Sequence, residues 1–393
     1  MEYLDSLSSN VIEINIRNKN LFVLPDLSRF TCLQKLDCSG NQLTQLDNLP
    51  LSLQKLNCSD NQITQLYNLP SSLQELYCPY NRLTQLDNLL VSLKTLFCNN
   101  NNLTQLDNLP HSLQELYCSN NQIIQLNNLP FHLQRLNCSN NQLTQLDNLP
   151  HSLQKLYCHD NQIIQLDNLP SSLQELECTN NQITQLDNLP SSLQILLCSK
   201  NQLTRLDNLP FYLKKLDCSH NQLKQLDKLS FSLNKIDCSY NQLKQLDKLP
   251  SSLLKLNCSF NQLTQLDNLP SSLPALICSF NQLTKLDNLP SSLLILNCSY
   301  NQITQLDNLP FSLICMDCSY NSGMKNNNLE YWKERTKNKR LKLLKEKICA
   351  RKIQRIWKKY WYDFYKYELI DGKYIGFCRF IEKSYFIING SSI

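Results

Sequence analysis

The chain has 393 residues, 42% of them hydrophobic, and a formal net charge of +5. That apolar share supports a large core and excludes a disordered polymer. No apolar run reaches membrane-spanning length, and the first five residues (Met1, Glu2, Tyr3, Leu4, Asp5) form neither a basic nor an apolar leader, so the expectation is a protein without a cleaved export signal.

In chain order, residues 1–32 read as an N-terminal cap holding one degenerate repeat: Val11, Ile14, Ile16 and Leu21, then Leu24-Pro25-Asp26-Leu27. From residue 33 to 321 a twenty-residue unit repeats fifteen times, and a unit that short cannot bury its apolar face alone. In the copy at 53–72, Leu56 and Cys58 alternate with Lys55, Asn57 and Ser59, the period of a short strand with one buried face. Asn61 stands where the chain must turn, with an amide able to serve backbone donors and acceptors together. The remainder, ending at Leu69-Pro70, is too short and turn-rich for a helix and is predicted to return in extended geometry.

Fifteen of the nineteen cysteines fall in one column, Cys38 to Cys318; Cys32, Cys315, Cys349 and Cys378 lie elsewhere. One buried sulfur per repeat, with no histidine beside it, suits a compact core residue better than a metal ligand. Parallel side-chain vectors are also poor disulfide geometry. Free thiols in a reducing, intracellular, cytoplasmic setting are expected, with no cofactor.

The framework L-x-x-L-x-C-x-x-N-x-L resembles the leucine-rich repeat signature, with Cys in the third apolar place, over residues 33–321. The twenty-residue length and the L-P ending are similar to the short repeats of bacterial effectors and of large DNA viruses of amoebae; the rarity of Gly beside abundant Asn, Lys and Ile hints at an AT-rich genome. The resemblance implies an α/β-type leucine-rich repeat solenoid: right-handed, a parallel sheet on the concave face, a mostly extended or turn-built convex side, and a small α+β C-terminal cap.

Three columns vary between copies, those of Lys55, Asn57 and Asp60. They place an aromatic cluster at Tyr77, Phe97, Tyr117 and Tyr157 with Tyr80 beside it, and a rim run of Tyr240, Phe260, Phe280, Tyr300 and Tyr320 enlarged by Ala275, Ile277 and Ile295. These are the candidate partner-binding residues. A ladder of rings that only stabilises the sheet, or a cover supplied by the basic tail, remains the alternative. Between the two zones, Lys215, Lys235 and Lys255 stand beside Asp217 and Asp237, read as a solvated, diagonally compensated surface, with a phosphate or nucleic-acid footprint as the alternative.

Residues 322–393 carry 18 Lys/Arg against 7 Asp/Glu, while 1–321 carry 20 against 26. From residue 329 to about 367 the spacing of Leu341, Leu344, Ile348, Ile353, Ile356 and Tyr360 predicts a basic amphipathic helix that caps the stack. Ile353, Gln354 and Lys358 match the opening of the IQ motif; Lys359 replaces its Gly, and Asp363 mismatches its second basic position. Asp371-Gly372 marks a hairpin turn after it.

Catalysis is not expected. Cys315-Met316-Asp317 has the letters of a ubiquitin-ligase C-x-D, and Cys315 with Cys318 forms a C-x-x-C, but these positions belong to repeat columns. His111, His132, His151, His159 and His220 fall on repeat positions expected to be exposed and unpartnered. The reading is therefore a non-catalytic, monomeric protein–protein interaction module binding on the concave face. Two alternatives stay open: a scaffold whose basic tail contacts a calmodulin-like protein, acidic membrane or nucleic acid, and an effector-like ubiquitin-ligase component.

Overall fold

The computed structural model describes residues 2–321 apart from 88, 227, 305, 307, 308 and 311. The predicted tail helix and cap, the IQ-like residues Ile353, Gln354 and Lys358, and the hairpin at 371–372 lie outside the described residues. The chain divides into two compact units, one of residues 1–301 with 308–320 and one of 302–307 with 321–393. All the described strands belong to the first.

After a short helix α1 (Glu2–Asp5), sixteen three-residue strands run from β1 (Glu13–Asn15) and β2 (Lys35–Asp37) at twenty-residue steps to β16 (Cys315–Asp317). They form one parallel sheet in chain order, each paired only with its sequence neighbours. The degenerate copy at the N-terminus supplies β1, with Ile14 opposite Leu36. Among the described residues no helix occupies the return limbs, which carry turns and bends alone.

The middle residue of each strand points inward, and the Cys that follows the strand does the same. Leu56, Leu73 and Leu76 are fully buried, as is every column thiol from Cys38 to Cys298. None of the described cysteines is in a disulfide. Burial pushes the thiols up, Cys38 and Cys118 to about 12, so the neutral form is held throughout the column.

Two polar ladders run beside the thiols. Asn61 Nδ2 donates to the carbonyls of Cys38, Cys58 and Ser59, each at 3.1 Å, while its Oδ1 accepts the Leu43 N–H at 2.9 Å. One amide thus satisfies buried backbone in its own turn and the preceding one. On the opposite edge the second serine of the Ser-Ser pair does similar work: Ser72 Oγ bonds the carbonyls of Leu51 and Leu53, both at 2.6 Å.

Two columns adopt left-handed backbone, those of Asp60 (φ 54) and Asn68 (φ 50). Their usual residues, Asn, Asp and once Gly, are those that tolerate this region best. Gly40 is needed for a second reason, since a Cβ there would lie 1.9 Å from Asn18 Oδ1.

Candidate partner-binding surface

The first and third residues of each strand face away from the core, so their side chains are set by the strand register alone. In β4 (Glu75–Tyr77), β5 (Thr95–Phe97) and β6 (Glu115–Tyr117) the third residues meet in register. The rings of Tyr77 and Phe97 stack with centroids 4.8 Å apart, and those of Phe97 and Tyr117 at 4.1 Å. Asn137 then interrupts the column. Tyr157, the last residue of β8 (Lys155–Tyr157), donates its hydroxyl to Glu175 Oε2 at 2.7 Å. Tyr80 belongs to the left-handed column and is exposed.

Charges flank these rings in matched pairs across neighbouring strands. Lys55, in β3 (Lys55–Asn57), meets Glu75 at 2.7 Å; Arg135, in β7 (Arg135–Asn137), meets Glu115 at 2.9 Å; Lys155 meets Glu175, in β9 (Glu175–Glu177), at 2.7 Å. The Lys55 ammonium also lies 4.8 Å from the Tyr77 ring centroid, and the Tyr77 hydroxyl donates to Glu75 at 3.0 Å. The hydrogen bond from Lys55 holds Glu75 below the usual carboxylate range. Burial works against Glu175, but the bonds from Lys155 and Tyr157 outweigh it and hold that carboxylate low too.

Glu177 differs. It is only 8% exposed, and its Oε2 has no hydrogen-bond partner among the described residues. Burial pushes its carboxyl up. Nearby, His159 Nδ1 lies 2.7 Å from Asp160 Oδ2, and Asn180 donates to the same carboxylate.

The rim run is built in the left-handed column. Tyr240, Phe260, Phe280, Tyr300 and Tyr320 have φ between 51° and 56°, and their rings stack face to face with centroids 4.0–4.2 Å apart. His220 extends the ladder by one ring, 4.0 Å from Tyr240. Burial, followed by Lys200, lowers its pKa. Ring faces at this separation are filled by each other, which leaves edges and hydroxyls outward.

Three expectations need correction. Of the five histidines expected to lack partners, His220 stacks on Tyr240, His159 bonds Asp160, and His111 and His132 lie 5.7 and 4.0 Å from the Phe131 ring. Repeat position alone does not reveal what the next copy offers. Ala275 and Ile277 do not widen an exposed stripe: all three residues of β14 (Ala275–Ile277) are buried. Nor is the central charged block solvated throughout: Lys215, Asp217 and Lys235 are half-exposed, but Asp237 and Lys255 are buried. Asp237, in β12 (Lys235–Asp237), and Asn257, in β13 (Lys255–Asn257), are buried because their side chains lie along the sheet in a hydrogen-bond chain. Asp237 accepts from Ser239 Oγ at 2.6 Å and from Asn257 Nδ2 at 2.8 Å, and Asn257 accepts from Ser259 Oγ at 2.8 Å. Lys255 is 1% exposed, and burial brings its ammonium down to about 7. Asp217, last residue of β11 (Lys215–Asp217), is raised by burial and then by Asp237, its partner in register.

Among the described residues no three His, Cys, Asp or Glu side chains gather as a metal site, and no helix is long and apolar enough to cross a membrane. Cys315 faces outward as the first residue of β16, and Cys318 sits in the buried thiol column. Two features escape a reading of the sequence: the serine ladder and the left-handed backbone of the rim column. The recurrence of Asn, Asp and Gly at the second is the available signal.

A leucine-rich repeat family model matches residues 132–156. No curated protein sequence matches the chain. Among solved structures, it is similar to YopM from Yersinia enterocolitica at 35% identity and a TM-score of 0.73, covering 81% of this chain and 75% of that one. YopM of Yersinia pestis, described as a leucine-rich effector protein, aligns at 34% identity and a TM-score of 0.70, over 78% of this chain and 88% of its own. The functional domain of InlJ from Listeria monocytogenes, which includes a cysteine ladder, aligns at 28% identity and a TM-score of 0.57, over 81% and 64%. The unbroken parallel sheet, the inward Leu and Cys columns and the Asn ladder agree with these likenesses: the chain belongs to the leucine-rich repeat family.

Proposed function

We propose that this chain is a non-catalytic module that binds a protein partner on the outward face of its sheet, acting as a monomer within a cell. The observation that carries this reading is the contrast between inward and outward strand positions. The inward position is Leu in nearly every strand, whereas the outward positions change identity from strand to strand. A face needed only to cover the core has no use for that variety.

The apolar centre of the contact is the Tyr77–Phe97–Tyr117 stack, half-buried and bordered by ion pairs. Desolvated aromatic residues within a polar rim are the usual anatomy of a protein interface. The rim ladder from His220 to Tyr320 contributes edges and hydroxyls. The effector described for Yersinia pestis fits a role of this kind, with host cytoplasm as the setting.

The test uses two variants that borrow residues from other copies. One replaces Tyr77, Phe97 and Tyr117 by Asn, which the same column holds at 57 and 137; the other replaces Phe260, Phe280 and Tyr300 by Asn, as at 100 and 120. A partner captured by the wild type from host-cell extract is purified and its affinity for each variant measured. The first variant is expected to weaken it by at least about tenfold. Undiminished affinity in both variants overturns the reading.

A further inference from the structure

The turn before each strand normally carries Pro-x-Ser, with Ser, His or an exposed apolar residue in the middle place, and the closing serine bridges to the preceding turn, as Ser192 does to the carbonyls of Ser171 (2.7 Å) and Leu173 (2.6 Å). At 210–212 the chain reads Pro-Phe-Tyr, and at 230–232 Ser-Phe-Ser. Phe211, Tyr212 and Phe231 are 60%, 61% and 75% exposed. They touch one another: Phe211 meets Tyr212 edge-on at 5.1 Å and Phe231 at 6.4 Å. Three large rings therefore stand clear of the surface on one edge of the stack, away from the sheet face.

The same stretch reverses the local charge. Residues 205–248 hold eight Lys/Arg against five Asp, a net of +3, whereas the rest of 1–321 holds twelve against twenty-one, a net of −9. Lys228 and Lys248 stand beside Asp227 and Asp247 where most other copies have Asn, and both keep the left-handed backbone of that column (φ 50 and 53). Two of the departures work against the framework, and the third is offset within it, since the Ser230 hydroxyl donates to the Phe211 carbonyl. Tyr212 displaces a bridging serine, Lys is less suited than Asn to left-handed backbone, and Ser230 replaces a turn-fixing proline. Their coincidence in two adjacent turns calls for a common cause outside the fold.

We infer that Phe211, Tyr212 and Phe231, with Lys228 and Lys248, form a docking patch for an anionic lipid surface. Exposed rings on turn tips insert at the headgroup boundary, and adjacent ammonium groups meet acidic headgroups. The rings project rather than line a groove, which suits a surface that yields to them better than a peptide that needs walls. Elsewhere along this edge Asn stands where Lys228 and Lys248 do, and the basic side chains seen there are taken up by Asp, as Lys285 is by Asp287 at 2.9 Å.

The experiment uses the full chain with vesicles of phosphatidylcholine and phosphatidylserine, read by co-sedimentation, with pure phosphatidylcholine as the uncharged control. The F211S/Y212S/F231S variant restores the serines of neighbouring turns and is expected to fold as well as the wild type while partitioning at least about tenfold more weakly. K228N/K248N, which leaves the rings in place, is expected to lose about tenfold on acidic vesicles and little on neutral ones. Should the serine variant melt early, the lysine variant alone carries the test. Wild-type chain that ignores acidic vesicles, or variants that bind them equally well through another region, overturn the assignment. Retention of a soluble Glu/Phe copolymer in place of vesicles overturns it in favour of a protein occupant.

Discussion

Strands β3 to β9 and strands β11 to β14 hang on one framework and treat charge in opposite ways. In the first region each outward Lys or Arg finds a carboxylate one strand away, at 2.7–2.9 Å, and the rings occupy the strand itself. In the second, three Lys follow one another in register, Asp217 faces Asp237, and the rings move to the left-handed column. Paired charges keep a face polar and half-open; in the second region burial displaces the pKa values of Asp217 and Lys255, like charges in register add to the displacement, and Asp237 is held by hydrogen bonds from Ser and Asn. A repeat framework thus fixes where a side chain stands and leaves its electrostatics to the next copy.

The largest expected effect falls on what the regions share. Asn161→Ala and Asn261→Ala each strip buried carbonyls and one N–H of their partner. Each is expected to cost about 2–4 kcal/mol by urea unfolding, equally in the two regions. A clear inequality would show that the framework is not uniform.

Next come the two ring stacks. Phe97→Ala removes two stacked neighbours from a strand and is expected to cost about 1–3 kcal/mol. Phe280→Asn also removes two, but it relieves a bulky residue from φ 53, so the net loss should stay below about 1 kcal/mol. Thermal melts of the two variants decide whether the rim ladder is held by its stacking or in spite of its backbone.

The pH response separates the regions further. Asp217 and Glu177 have raised folded-state pKa values, so their stabilising contribution is full below the ordinary carboxylate range and is lost as pH rises through the folded values. Lys255, lowered to about 7, acts in the other direction: stability is regained as pH rises from there toward 10.5. Glu75 and Glu175 are lowered, so their contribution holds above the ordinary range and fades only in stronger acid. Chemical denaturation across pH should therefore show a gain on mild acidification from neutrality, and Asp217→Asn should shrink it. The smallest effect is expected from Lys55→Met, a half-exposed pair, at about 0.2–1 kcal/mol and diminished by salt.

Much of this is legible in the letters. The twenty-residue period, the alternation of Leu56 and Cys58 with polar neighbours and the turn at Asn61 dictate the sheet, the thiol column and the amide ladder. Both ring clusters follow from register, because strictly periodic strands bring Tyr77 beside Phe97 without further information. What the letters hide depends on direction and depth. Asp237 and Lys255 read as surface charge because period two marks them outward, yet one lies along the sheet in hydrogen bonds and the other is buried. His220 looks solitary because its partner is twenty residues away in a column whose backbone is left-handed. The edge rings Phe211 and Phe231 escape notice because they sit in turns.

The central claim is that successive units stack in register with every column thiol inside, which is what puts the variable letters outside. Alkylation of the native chain under reducing conditions, mapped to individual cysteines by mass spectrometry, tests it most directly. Exposed Cys32 should label promptly, while Cys58 to Cys278 should resist until denaturant unfolds the stack. Column thiols that react in the folded protein as fast as Cys32 would contradict the account.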